Sequence, residues 1–204
     1  VRDLLIATTN KGKLAEFAEL FGRDRFRVRA AAEVLVPMPA VIEDGTTFAE
    51  NARKKAQAIA RESMCLTLAD DSGLEVDALG GAPGVYSARF AGEGATDAQN
   101  REHLVARLLA LETNAVRFPA RFRCALCLVD PLAAGGSTLV EVDGACEGSV
   151  ILEERGTSGF GYDVLFMPEG YNKTFGELPS EVKHTMSHRG RALAALLERL
   201  GSPR

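Results

Sequence analysis

The chain has 204 residues, 46% of them hydrophobic and 25% charged, with a net charge of −4 and a mean hydropathy near zero. That balance describes an ordinary soluble globule and argues against an extended nucleic-acid surface, which needs a basic face, while leaving room for a local cluster around a small anion. No apolar run approaches the ~18 residues of a membrane span, and "VRDLLIATTN" is too short a greasy run for a signal peptide. A cytoplasmic chain with one sizeable core, undivided or in two lobes, is expected.

In chain order, "LLIA" (Leu4–Ala7) reads as a short buried strand. Lys11–Phe21 follows as an amphipathic helix with Leu14, Phe17, Ala18 and Phe21 on one face and Asn10 as its N-cap. "FRVRA" (Phe26–Ala30) alternates as a second strand, and "VPMPAVIEDGTTF" is a proline- and glycine-marked loop ending in two acids. A long helix spans Phe48–Ser63, where Thr47 and Glu50 have capping-box spacing. "CLTLADDSGLEVDAL" reads as a strand running into acids, a Gly turn and another extended piece, and "GGAPGVYSARFAGEG" as irregular. Thr96 and Gln99 cap a helix over Asp97–Leu111. "ARFRCALCLVD" and "STLVEVDGACEGSVI" form two long strands around "PLAAGG", a hairpin connection. "RGTSGFGYDVLF" is a glycine-punctuated loop ahead of a short strand, and "SHRGRALAALLERLG" a closing helix ended by Gly201. Hairpin and strand–helix–strand connections together predict a single α/β unit over residues 1–204, with a mixed sheet and no separable linker.

Cys65, Cys124, Cys127 and Cys146 are the four cysteines. Cys124 and Cys127 spell C-x-x-C, but residues three apart in a strand face opposite ways and share neither a metal nor a disulfide. They read as small buried hydrophobes in a reducing compartment.

The unusual residues sit in the polar loops. "TTNKGK" (8–13) places hydroxyls, an amide and two lysines at a helix N-terminus, where backbone N–H groups and the dipole favour an anion. It is not a Walker loop, since Ala7 stands at the first glycine position and Leu14 at the hydroxyl position. Taken alone it reads sooner as a capped helix with surface lysines than as a phosphate grip. Against eighteen arginines the chain has only six lysines, two of them in this turn, as if a compact point charge were wanted there.

"IEDG" and "LADDSG" supply Glu43, Asp44, Asp70 and Asp71. Alternation along a strand puts Asp70 and Asp71 on opposite faces, one toward a cleft and the other toward backbone donors. Two carboxylates near a polyphosphate call for a hard cation such as magnesium; otherwise they cap turns. "TSGFGYD" sets Phe160 and Tyr162 among glycines, either to stack on a base or to fill a core gap. "KHTMSHRGRAL" gathers Lys183, His184, His188 and Arg189 around the start of the last helix.

In this order, "TTNKGK", "IEDGTTFAENARKKA", "ADDSGLEVDALGGAPGVYSARFAG", "GFGYD" and "SHRG" resemble the inosine/xanthosine triphosphate pyrophosphatase family over essentially the whole chain. The resemblance implies hydrolysis of deaminated purine nucleoside triphosphates (ITP, dITP, XTP) to the monophosphate and pyrophosphate, which keeps these bases out of DNA and RNA. It implies that Thr8, Thr9, Asn10, Lys11, Gly12 and Lys13 hold the triphosphate, with Lys55 reaching in from the following helix. Glu43 and Asp71 would bind Mg2+, Asp71 would be the general base, and Ser72 would contact substrate. Phe160 would stack on the purine with Gly161, Tyr162 and Asp163 around base and sugar, and Lys183, His188 and Arg189 would read the base. The implied fold is a two-lobed α/β structure with a long mixed central sheet, flanking helices and a cleft between lobes, in a cytoplasmic homodimer without nucleic-acid or membrane partners. Ser158 and Val164 depart from the family's more usual Gly and Pro. A triphosphate sensor would need the first loop but not Glu43 and Asp71 together, and a pyrimidine-directed pyrophosphatase would have less use for "SHR".

Overall fold

The computed structural model describes residues 2–21, 26–133 and 137–201. It is an α/β fold with a six-stranded mixed sheet in the order β2-β1-β3-β4-β5-β6. The strands are β1 (Arg2–Ile6), β2 (Phe26–Ala30), β3 (Thr67–Val76), β4 (Arg117–Asp130), β5 (Thr138–Ile151) and β6 (Phe166–Pro168). The helices are α1 (Lys11–Phe21), α2 (Phe48–Ser63), α3 (Asp97–Leu109), α4 (Ser180–Met186) and α5 (His188–Gly201). β1 runs parallel to β2, from Arg2 opposite Phe26 to Ile6 opposite Ala30, and parallel to β3. β5 and β6 are antiparallel. The short return from β4 to its neighbour β5 admits only an antiparallel pair; part of it, residues 134–136, lies outside the described residues. No helix among the described residues is long and apolar enough to cross a membrane.

The chain divides into two compact units, one of residues 1–71, 124–143 and 192–204 and the other of 72–123 and 144–191. Each has its own core. The first packs Leu4 and Ile6 of β1, Phe17 and Phe21 of α1, Leu68 of β3, Leu126 of β4 and Leu193 and Leu196 of α5. The second packs Leu74 and Val76 of β3, Leu104 and Leu108 of α3, and Phe122, Phe166 and Phe175. Fully burying one such side chain contributes about 1.5–3 kcal/mol. Burial along β4 shows the change of unit. Phe118, Ala120 and Phe122 alternate with less buried neighbours, whereas Cys124–Val129 is buried throughout. A strand covered on one face gives way to one covered on both.

Most expected elements form where the periodicity puts them, and the differences are instructive. β3 does not stop at the acids for a Gly turn. It stays extended through Asp70, Asp71, Ser72 and Gly73 beside its other neighbour, β4, although its pairing with β1 covers only Thr67 and Leu68. Ala18 of α1 is exposed and Glu16 is buried, so the inner face is rotated from the expected one. Thr47 Oγ1 accepts the Glu50 N–H at 3.2 Å, but the Glu50 carboxylate goes to the Thr46 N–H at 2.7 Å, which leaves half a capping box. At α3 the full box of Thr96 and Gln99 forms. A 3-10 turn at Gly84–Arg89 orders the segment expected to be irregular, another at Asp77–Leu79 replaces the end of the piece expected to be extended, and α4 is a helix not expected from the sequence.

Candidate active site

In the first unit the polar loop leaves β1 at Ile6 and enters α1 at Lys11. Asn10 caps the helix, its Oδ1 accepting the Lys13 N–H at 3.0 Å, and Thr8 Oγ1 in turn accepts the Asn10 N–H at 3.1 Å. Side-chain oxygens thus shape the turn and take the Lys13 N–H, while the N–H groups of Lys11 and Gly12 belong to the open end of the helix. Thr9, Asn10 and Lys11 are exposed, whereas Thr8, Gly12 and Lys13 are half-buried.

Lys13 forms an ion pair with Asp70, whose side chain is fully buried. Asp70 Oδ2 also accepts the Cys124 thiol at 3.3 Å. Asp70 is thus the aspartate turned into the unit, where a lysine and a thiol meet it. Cys124 is a free, buried cysteine, as expected, but not merely a hydrophobe, because its S–H helps fix the carboxylate behind Lys13.

Asp71, on the opposite strand face, accepts from Asn51 Nδ2 at 3.1 Å and lies 3.6 Å from Lys55 Nζ. The same ammonium lies 2.9 Å from Glu43 Oε2. Two carboxylates from separate segments, a loop and a strand, thus converge on one cationic group. Burial raises the proton affinity of Asp71 above that of an ordinary aspartate, against the opposing pull of Lys55, Lys13 and the Asn51 amide. At Lys55 burial works against the charge, but Asp71, Glu43 and Asp70 outweigh it and its pKa rises. Among the described residues no three His, Cys, Asp or Glu side chains group into a metal cage. Two hard carboxylates are nevertheless the protein share that magnesium usually takes when a polyphosphate supplies further oxygens, so the donor chemistry fits that ion.

The second unit carries the base-side candidates. Asp163 organises them. Its Oδ2 accepts the Phe160 N–H at 2.9 Å and pairs with Lys183 Nζ at 2.7 Å, with both ionic side chains almost wholly buried. Gly159 has φ +77°, and a Cβ there would meet Asp163 Oδ2 at 2.1 Å, so only glycine lets the loop close on that carboxylate. The Gly161 peptide is held at both ends, its N–H by Asp97 at 2.8 Å and its carbonyl by Arg101 at 3.0 Å. The half-buried Phe160 ring has Lys183 Nζ 5.4 Å and the Arg189 guanidinium carbon 5.8 Å from its centroid, both in cation–π range. Arg189, buried at the start of α5, donates to Ser72 Oγ at 2.9 Å. His188 is buried and stacks on Phe122 at 4.7 Å and 13°. The Tyr162 side chain belongs to the core, its hydroxyl donating to the Ser87 carbonyl at 2.8 Å, so at that position the loop presents backbone.

A surface hollow of about 430 Å3 in the second unit, lined by residues such as Arg117, Arg121, Glu147 and Tyr171, includes none of the site residues expected from sequence. The chemistry-bearing side chains lie elsewhere.

The sequence model of the Ham1 family matches residues 4–199. The chain belongs to the Ham1 family. A dITP/XTP pyrophosphatase of Desulfotalea psychrophila is 47% identical over 193 residues, 95% of this chain and 82% of that protein. One from Bacillus anthracis is 44% identical over 203 residues, covering 98% and 96%. Among solved structures, a HAM1 protein from Coxiella burnetii superposes with a TM-score of 0.83 at 36% identity, covering 98% of both chains. The Staphylococcus aureus Ham1 protein gives 0.81 at 37%, again covering 98% of both. Likeness at this level over nearly the full length agrees with the motif order read from sequence.

Within this Ham1 fold, Asn51 and Cys124 are the polar partners that the sequence reading missed. Asn51 had left a signal. It lies three residues after buried Phe48 and eight before buried Ile59, on the inner face of α2, where an amide needs a reason to be. Cys124 left none, since a strand cysteine looks the same whether it packs or donates.

Proposed function

We propose that this chain hydrolyses deaminated purine nucleoside triphosphates, ITP, dITP and XTP, to the nucleoside monophosphate and pyrophosphate in the presence of magnesium. The observation that carries the reading is the convergence of Glu43 and Asp71 on one cationic group, Lys55, in the unit whose α1 N-terminus bears Lys13. Hydrolysis of a phosphoanhydride needs charge neutralised on the leaving pyrophosphate and a water aligned and deprotonated.

The 8–13 turn grips the triphosphate through Thr8, Thr9, Asn10 and Lys13 and the backbone of Lys11 and Gly12, with Asp70 holding the Lys13 ammonium in place. Glu43 and Asp71 hold magnesium, which, when bound, neutralises phosphate charge as a Lewis acid. Asp71 accepts the proton of the attacking water, a task helped by burial, which raises its proton affinity. Lys55 balances the two acids and adds positive charge toward the phosphates.

Base choice belongs to the second unit. Phe160 stacks on the purine, Gly161 and the Tyr162 backbone border it, and Asp163 fixes the loop. Lys183, His188 and Arg189 supply donors toward the 6-oxo acceptor of hypoxanthine or xanthine, and Ser72 completes the contact. An amino group at that position, as in adenine, strands a buried donor at a cost of about 1–3 kcal/mol. Carried over from the family resemblance, the enzyme acts in the cytoplasm as a homodimer, which sedimentation of the purified chain tests.

The deciding assay offers ITP, XTP, dITP, ATP and GTP with magnesium. Pyrophosphate release from the first three, at rates well above those for ATP and GTP, is expected. Orthophosphate as product, or tight binding without turnover, overturns the reading.

A further inference from the structure

The side chain of Asn51 is buried within α2 and has a partner at each end of its amide. Its Oδ1 accepts the Gly45 N–H at 2.8 Å, and its Nδ2 donates to Asp71 Oδ2 at 3.1 Å. The orientation of the amide is not arbitrary. A backbone N–H can only donate, so the oxygen must face Gly45 and the NH2 must face Asp71.

We infer that Asn51 is a positioning residue that sets the spacing between the Glu43 and Asp71 carboxylates and thereby the affinity of the pair for a divalent cation. The inference rests on the reading of those two acids given above and adds a residue to it. Gly45 lies two residues after Glu43, so one amide ties the loop bearing the first acid to the strand bearing the second. Two other bonds from this loop stop at α2, where Lys54 takes Asp44 and Glu50 takes the Thr46 N–H, and Lys55 reaches both Glu43 and Asp71 only as a flexible ion-pair partner. The Asn51 bond continues to β3.

The fit is tight from the loop side as well. A Cβ built on Gly45 would meet Asn51 Oδ1 at 2.6 Å and Glu50 Cβ at 2.8 Å, so a side chain at position 45 drives the loop off the amide. On the strand side, Asn51 occupies Asp71 Oδ2, and the other oxygen, Oδ1, is the one nearest the lysine shared with Glu43. The amide therefore selects which carboxylate oxygen is presented.

Groups that orient metal-binding carboxylates typically change metal affinity about 10–100-fold when removed. The test uses the full chain and Mn2+, which favours the same carboxylate oxygens, with free ion read by its paramagnetic resonance signal. Asn51→Leu keeps the volume and removes both bonds; Gly45→Ala leaves the amide and displaces the loop. Each is expected to weaken Mn2+ binding about 10–100-fold with circular dichroism unchanged. The double variant is expected to be no worse than the weaker single, since both break one link. Should Asn51→Leu fail to fold, Gly45→Ala carries the same expectation alone. Variants that bind Mn2+ like the unaltered chain would make Asn51 a core amide and overturn the inference, as would full additivity in the double variant. An unaltered chain that releases pyrophosphate from ITP but binds no Mn2+ would remove the metal pair while leaving the activity standing.

Discussion

The two units place charge in opposite ways. In the first, Lys13, Lys55, Glu43 and Asp71 keep part of their surface toward solvent. In the second, Asp163, Lys183 and Arg189 are almost wholly enclosed, and the cations lie over an aromatic ring. The first arrangement suits a ligand that brings its own charge and water. The second is a rigid frame whose donors are already pointed, which suits a flat, uncharged base. Loss of one group should therefore cost turnover in the first unit and selectivity or order in the second.

The sharpest way to break that contrast is Asp71→Asn, which is expected to cut kcat for pyrophosphate release about 10²–10⁴-fold while circular dichroism stays native. Full activity would remove Asp71 from the chemistry. Next comes Lys13→Ala. It leaves Asp70 buried without its cation and should cost about 3 kcal/mol in chemical denaturation, and it should weaken triphosphate more than monophosphate binding. Equal weakening of both ligands would confine Lys13 to a structural pair. Phe160→Ala is expected to raise KM for ITP by the equivalent of about 1–3 kcal/mol of lost stacking, with kcat little changed. An unmoved KM would mean that the ring only packs against its cations. The smallest effect belongs to Cys124→Ala, worth about 1 kcal/mol of stability for a hydrogen bond to a carboxylate; titration calorimetry should find phosphate affinity altered far less than by Lys13→Ala.

Local pattern carried much of this molecule. The ends of α1, β2 and α2 follow from 3.6- and 2-residue periods and from caps such as Asn10 and Thr47, because those features are decided within a few residues. The candidate site was drawn from motifs, where unusual polar residues gather among glycines, as in "TTNKGK" and "GFGYD". Gly73 misled because a glycine soon after two aspartates has turn chemistry, whereas its place in the sheet beside β4, a strand distant in sequence, keeps it extended. The Tyr162 hydroxyl meets a carbonyl 75 residues away, Asn51 meets Asp71 20 residues away, and Cys124 meets Asp70 54 residues away. Periodicity can mark such a residue as inward-facing, as it does Asn51, but it does not name the distant partner.

The unbroken course of β3 has a further consequence. Asp71 is seated mid-strand, where a shift of one residue would turn its side chain to the other face and carry Asp70 and Ser72 with it. A carboxylate seated this way is pinned against drift along the strand, so changes at this position must come by substitution rather than by slippage.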